Sequence, residues 1–154
     1  MFTIRDYDPN DFGELLALDQ LCFTQGIAYT QRELAYFINR KGSVRLIAER
    51  EAGNKGIAGF LVGNIEGNLP RRASAHIITI DVHPTCRRSG LGTELMRAAE
   101  QRFEAAKCKT ILLEVAVDNL PAISFYKRHG FSVLKSLPRY YNNSIDGLLL
   151  GKKM

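Results

Sequence analysis

The sequence predicts an α/β (α+β) fold: a mixed central sheet of about seven strands flanked by about four helices, in one domain spanning residues 1–154. Three observations predict it. Stretches of strand character alternate with stretches of helical spacing in the order β-α-α-β-β-β-α-β-α-β-β. The 154 residues are 45% apolar and 24% charged, which supports a packed core and excludes a disordered chain. Residues 110–117 form a nearly continuous apolar run, which demands burial on both faces of a sheet.

Residues 2–7 read as a short strand. Asp8 and Pro9 then open a helix, Asp8 as its cap and Pro9 at its first position, with Phe12, Leu15, Leu16 and Leu21 as its apolar stripe. Thr30 and Glu33 have capping-box spacing, and Leu34, Phe37 and Ile38 continue a second helix. Residues 44–51 and 57–65 are strand-like, separated by a turn at Gly53 and Asn54. Residues 75–82 form the next strand, ended by His83 and Pro84. Residues 90–107 place Leu91, Leu95, Ala98, Phe103 and Ala106 near helical spacing. The apolar strand at 110–117 is interrupted by one carboxylate, Glu114. Asn119 caps a short helix that holds Pro121 in its first turn and stops at Gly130. Residues 131–140 and 145–153 form a last pair of strands.

Charge is uneven. Residues 1–70 hold 7 basic and 9 acidic side chains, a net of −2; residues 71–154 hold 14 and 7, a net of +7. A polyanionic partner would therefore meet the second half, although a solvated basic surface is the plainer account of charge alone. Nothing beyond charge points to nucleic acid, and no direct nucleic-acid partner is expected. Cys22, Cys86 and Cys108 form no Cys-x-x-Cys pair, and His76, His83 and His129 are not grouped with them at zinc-finger spacing. No metal is expected, and unpaired thiols point to a reducing, cytoplasmic setting. Charge at Arg5 and Asp6 precedes any apolar run, which is unlike a secretion signal, and no run of about 18 apolar residues exists to span a membrane.

The most informative stretch is 80–93, where a strand ends, a basic loop follows, and Gly90 and Gly92 open a helix. A helix start leaves N–H groups unpaired, its dipole favours negative charge, and glycines remove the side chains that would block a phosphate. Arg87 and Arg88 add positive charge. The competing account is a tight turn with Ser89 as a helix cap. The stretch lacks the Gly-Lys-Ser/Thr of a P-loop and the third glycine of a dinucleotide fingerprint.

These residues resemble a family. Arg87-x-x-Gly90-x-Gly92 after a strand is similar to the pyrophosphate loop of the GNAT acyl-CoA N-acyltransferases, and the element order is similar over essentially the whole chain. Leu113-Glu114-Val115, Asn119, Ala122-Ile123, Tyr126 and Gly130-Phe131 resemble the second half of the RimI-type N-terminal acetyltransferases of ribosomal proteins. Those enzymes pair a strand Glu with a helix Tyr twelve residues later, the separation of Glu114 and Tyr126. Pro138-Arg139-Tyr140-Tyr141 resembles their hairpin segment. The chain departs from them in having no tryptophan, in Ile27-Ala28-Tyr29 where a Pro-Trp pair is common, and in Asn142 where a proline is common.

The resemblance implies acetyl-CoA as acyl donor, bound where the fourth and fifth strands splay apart. The backbone of Ile80, Asp81 and Val82 would hold the pantetheine arm. The N–H groups of Arg88, Ser89, Gly90, Leu91, Gly92 and Thr93, beside Arg87, would hold the pyrophosphate, and Asn119 would line the cofactor further on. Tyr126 would protonate the leaving thiolate, its alternative being a core aromatic. Glu114 would act as a base through water, its alternative being a structural ion pair with an arginine. The Val82 N–H would stabilise the oxyanion. The loop at 23–29 with Tyr29, and the hairpin with Tyr140 and Tyr141, would hold the acceptor.

Acid–base arithmetic favours an α-amine acceptor. Its pKa of about 7.7–8.0 leaves a useful neutral fraction, whereas a lysine near 10.4 needs about three more units, roughly 4 kcal/mol. The expectation is an acetyl-CoA-dependent N-acetyltransferase acting on a protein or peptide N-terminus, a ribosomal protein among the candidates. A small-amine or polyamine acetyltransferase and a non-catalytic acyl-CoA-binding or ribosome-associated module are the alternatives. Retention of both Glu114 and Tyr126 argues against the non-catalytic one.

Overall fold

The structure, a computed structural model, describes residues 2–24, 27–51, 56–67 and 73–154. The turn expected at Gly53 and Asn54 lies outside the described residues, as do residues 25 and 26 of the loop at 23–29. The strands are β1 (Phe2–Asp6), β2 (Ser43–Arg50), β3 (Ile57–Glu66), β4 (Ser74–Val82), β5 (Thr110–Ala116), β6 (Ser132–Tyr141) and β7 (Ile145–Lys153). The helices are α1 (Phe12–Cys22), α2 (Gln31–Asn39), α3 (Leu91–Ala105) and α4 (Leu120–Arg128), with short 3-10 turns at Pro9–Asp11 and Pro84–Cys86. The expected order of elements is the observed one.

Local chemistry sets the helix starts. The Asp8 carboxylate accepts from Asn10 N at 2.9 Å and Asp11 returns a bond to the Asp8 amide, so Asp8 caps the 3-10 turn that leads into α1. Thr30 and Glu33 close a capping box before α2, at 3.1 Å and 2.9 Å. Asn119 Oδ1 accepts from Ala122 N at 3.3 Å and starts α4.

The strands form one mixed sheet in the order β1-β2-β3-β4-β5-β7-β6, in which every pair is antiparallel except β4 with β5. Apolar residues alternate across it, Leu46 and Ala48 packing toward α3 on one face and Ile47 toward α1 and α2 on the other. Phe103, Leu95 and Met96 of α3 are fully buried on the first face; Leu15, Leu34 and Ile38 are fully buried or nearly so on the second. Each such side chain contributes about 1.5–3 kcal/mol of apolar burial.

Two irregularities of β4 shape the site. Thr79 opposes Val62 and Ile77 opposes Gly63, so Ile78 is an inserted bulge residue. Ala75 and Ile77 pack in the α3 layer, and the bulge places Ile80 and Val82 on that same side. It thereby turns Thr79 and Asp81 toward α1. The parallel ladder with β5 holds only at Ala75–Ile111, His76–Leu112 and Ile77–Leu113. Beyond it residues 78–82 of β4 and 114–116 of β5 do not pair, and the sheet opens between its fourth and fifth strands as expected.

Candidate active site

The open edge of β4 is a row of main-chain groups. His83 N donates to Ala58 O at 2.7 Å, so the alternate residues Asp81 and Thr79 also turn their peptide groups to β3. Ile80 and Val82 turn theirs into the gap. Val82 O accepts from Arg87 Nε at 3.3 Å and from Cys22 Sγ at 3.4 Å, while its N–H faces the opening. The expected pantetheine contact of Asp81 is corrected here. Its main chain belongs to the β3 ladder, and its carboxyl, 1% exposed, is buried against Thr79 and Asp19.

The loop after β4 leads to a helix start that no side chain caps. Gly90 is the N-cap residue with φ +83°, the left-handed conformation that glycine adopts without strain, and a Cβ added there would meet nothing within 4 Å. No side chain caps the first-turn N–H groups of Leu91, Gly92 and Thr93, and no Cβ at residue 90 crowds the approach to them. Arg88 shares the left-handed conformation, at φ 63°, and is exposed. Ser89 is no cap: its hydroxyl donates to Cys86 O. Gly92 also has a packing purpose. A Cβ there would sit 3.1 Å from Phe125 Cε1, so Gly92 lets α4 pack against α3. Leu91 is buried in the core, and Thr93 Oγ1 bonds His129 Nε2 at 3.1 Å, so both would contribute main chain alone. Asn119 spends its side-chain oxygen on the α4 cap.

Glu114 lies one residue past the last β4–β5 rung, and its Oε1 is 2.7 Å from His76 Nε2. Its partner is thus a histidine and not the arginine the structural alternative assumed. His76 Nδ1 also lies 3.9 Å from Glu66 Oε1. The Glu114 bond raises the imidazole pKa above its ordinary 6.5, against the opposing effect of burial. His76 is the site residue that the sequence reading missed; its one signal was a histidine inside an otherwise apolar strand.

Tyr126 sits on α4, 7% exposed, with its ring edge-on to Phe125 and Phe131 at 5.5 and 5.8 Å. Burial, then the nearby Asp81 charge, pushes its phenol well above the usual 10. Such a phenol keeps its proton and serves as a hydrogen-bond donor.

Three further tyrosines close the other side. Tyr29 OH donates to Ile78 O at 3.1 Å, its amide donates to Asp19 Oδ2 at 2.7 Å, and its ring meets Phe37 edge-on. Tyr140 and Tyr141 stack edge-on at 4.9 Å over Gly147, on a hairpin held by Arg139 N donating to Asp146 Oδ1 at 2.9 Å. Burial raises all three phenols, and the Glu114 charge raises them further. Tyr29, Tyr140, Tyr141 and Glu114 thus share one electrostatic environment. Among the described residues no group of three or more His, Cys, Asp and Glu could hold a metal ion.

A sheet opened beside its parallel junction offers main-chain donors and acceptors to an extended ligand, and with the anion-ready helix start this is the arrangement of an N-acyltransferase. The sequence profile of the acetyltransferase (GNAT) family matches residues 12–131, and the chain belongs to that family, whose members use acetyl-CoA. It is similar to an N-alpha-acetyltransferase of Sulfolobus acidocaldarius, 32% identical over 97% of this chain and 90% of that one. It is 41% identical to an uncharacterised N-acetyltransferase of Methanocaldococcus jannaschii over 63% of this chain, an alignment that spans only 62% of that protein. The crystal structure of Ard1 from Thermoplasma volcanium superposes with a TM-score of 0.86 at 28% identity, over 99% of this chain and 97% of that one.

Proposed function

We propose that this enzyme transfers the acetyl group of acetyl-CoA to the α-amine of a protein N-terminus. The observation that carries this is the Glu114–His76 pair, set where β4 and β5 part, between an open main-chain edge and three tyrosines. The similarity to an N-alpha-acetyltransferase over nearly the whole chain supports it.

The residues fit acetyl-CoA, which supplies an acyl group activated as a thioester. Gly90 leaves the first-turn amides of α3 open to a pyrophosphate, with Arg87 and Arg88 beside them. The Ile80 and Val82 main chain holds the pantetheine arm, and Asn119 lines it further along. The Val82 N–H, on the open side of β4, would stabilise the developing oxyanion. Glu114, with His76, accepts the proton of the incoming amine through water. Tyr126, its phenol kept protonated by burial, would be the acid for the leaving sulfur. Tyr29, Tyr140 and Tyr141 hold the peptide through their hydroxyls. An α-amine suits this base because about three pKa units separate it from lysine. The cytoplasm is the proposed location, supported by three free cysteines.

The test is a thiol-release assay with acetyl-CoA against peptides with free N-termini (those of ribosomal proteins included), N-blocked lysine peptides and polyamines. Turnover on free N-termini at least about tenfold above the blocked lysine peptides is expected from the amine pKa gap. Preference for polyamines would make it a small-amine acetyltransferase, and turnover on none would make it a binding module.

A further inference from the structure

Asp19 of α1 is 0% exposed and Asp81 of β4 is 1% exposed, and the two buried carboxyls lie close enough for each to perturb the other's proton affinity. Each has one oxygen satisfied by a donor: Asp19 Oδ2 by the Tyr29 amide at 2.7 Å, Asp81 Oδ1 by the Thr79 hydroxyl. The remaining oxygens, Asp19 Oδ1 and Asp81 Oδ2, are fully buried and have no donor. Two carboxylates cannot satisfy each other, because both only accept. One carboxylic acid facing one carboxylate can, because a single proton between them completes the network.

We propose that Asp19 and Asp81 form a proton-sharing acid pair that positions the acceptor side of the active site against the acetyl-CoA edge. The pair links α1 to the end of β4, where Val82 sits one residue beyond Asp81. Through the Tyr29 amide it also ties down the segment before α2, whose tyrosine hydroxyl holds Ile78 O. It is a positioning device: neither carboxyl reaches the gap. The pair rests on the reading of that gap as the acyl-transfer site, although the shared proton itself does not.

The surroundings hold the proton in place. Burial raises both carboxyls above the ordinary range; Asp19 raises Asp81 further by charge and hydrogen bond, whereas hydrogen bonds from Asp81 and the Tyr29 amide oppose the shift at Asp19. Glu33 of α2 adds a further raising charge on Asp19, whereas Arg87, from the loop after β4, opposes the shift at Asp81. Cys22 of α1 and Tyr126 of α4 face the pair as neutral groups, the thiol pushed up to about 11 by burial and by these charges. The positioning reading therefore predicts a native proton at neutral pH with no cation in place of it.

The experiment has two independent arms. In the first, carboxyl carbons of isotopically labelled aspartate are followed by NMR across pH in the native chain and in D19N. One step above the ordinary carboxyl value of about 3.9 is expected in the native chain and is expected to move down in D19N, where the Asn amide donates to Asp81 and no proton is shared. Two titrations near the ordinary value would overturn the pair. In the second arm, peptide acetylation and coenzyme A binding are measured in D19N and D19A. The amide of D19N can accept from Tyr29 and donate to Asp81, so peptide KM should stay within about threefold of native. D19A leaves both unsatisfied and should raise peptide KM about tenfold, with coenzyme A affinity within about twofold by calorimetry. Equal damage in D19N and D19A, or an equal loss of coenzyme A binding, would overturn the positioning role. If the native chain acetylates nothing, the function proposed above fails while the NMR arm still decides the pair.

Discussion

His76 on β4 and Glu114 on β5 are joined by a 2.7 Å hydrogen bond at the point where the two strands separate. The bond places a half-buried imidazole and a half-buried carboxylate on the same face, the carboxylate within electrostatic reach of Tyr29, Tyr140 and Tyr141. It also sets the direction in which the pair responds to pH.

The Glu114 bond is the largest cause raising the His76 pKa. E114Q should therefore return the His76 titration toward 6.5, read by imidazole NMR. Because the folded value is raised, the pair's stabilisation is complete below about pH 6.5 and is lost as pH rises through the raised value. Thermal melts should show that decline in the native chain and not in E114Q. An unmoved His76 titration in E114Q would refute the assignment.

Loss of the base should cost turnover and spare the donor. E114Q is expected to lower kcat/KM for peptide by about a hundredfold or more, the usual range for a general base, with coenzyme A affinity unchanged. H76Q should give a smaller loss and flatten the acidic limb of the pH–rate profile, because the protonated imidazole then no longer competes for the Glu114 carboxylate. Steady-state kinetics across pH, paired with calorimetry, checks both.

The acid role proposed for Tyr126 is tested in the same way. Y126F should reduce kcat by about tenfold to a hundredfold, the effect of losing one hydrogen bond to a developing charge. Since burial holds the phenol above 10, the native rate should show no downward limb from Tyr126 below that value. Retained turnover in Y126F would leave Tyr126 as a core aromatic only.

The two glycines of the loop should fail in different ways. G90A forces a side chain into φ +83°, at a cost of about 1–2 kcal/mol, and puts a methyl group in the open space before α3. It should weaken coenzyme A binding about tenfold, which is about 1.4 kcal/mol. G92A instead presses on Phe125 from 3.1 Å and should lower the melting temperature and kcat by shifting α4, with a smaller effect on binding. Melting curves and calorimetry on the two variants separate these outcomes.

By itself the sequence determined the order of elements, the caps at Asp8, Thr30 and Asn119, the anion-ready start of α3 and the presence of one carboxylate in an apolar strand. Each of these is local: a side chain and the few amides around it, or the period of an apolar stripe, suffices to predict it. Tertiary structure alone decided who meets whom. His76 and Glu114 are 38 residues apart and become neighbours only through the parallel ladder of β4 and β5. The bulge at Ile78 is equally illegible, because strict alternation would set Asp81 on the face opposite His76. One inserted residue reverses that parity, which turns the Asp81 side chain to the α1 face, toward Asp19. Gly92 follows the same rule: its spacing reads as a phosphate glycine, and its close packing on the ring of Phe125, brought by α4, is visible only in the fold.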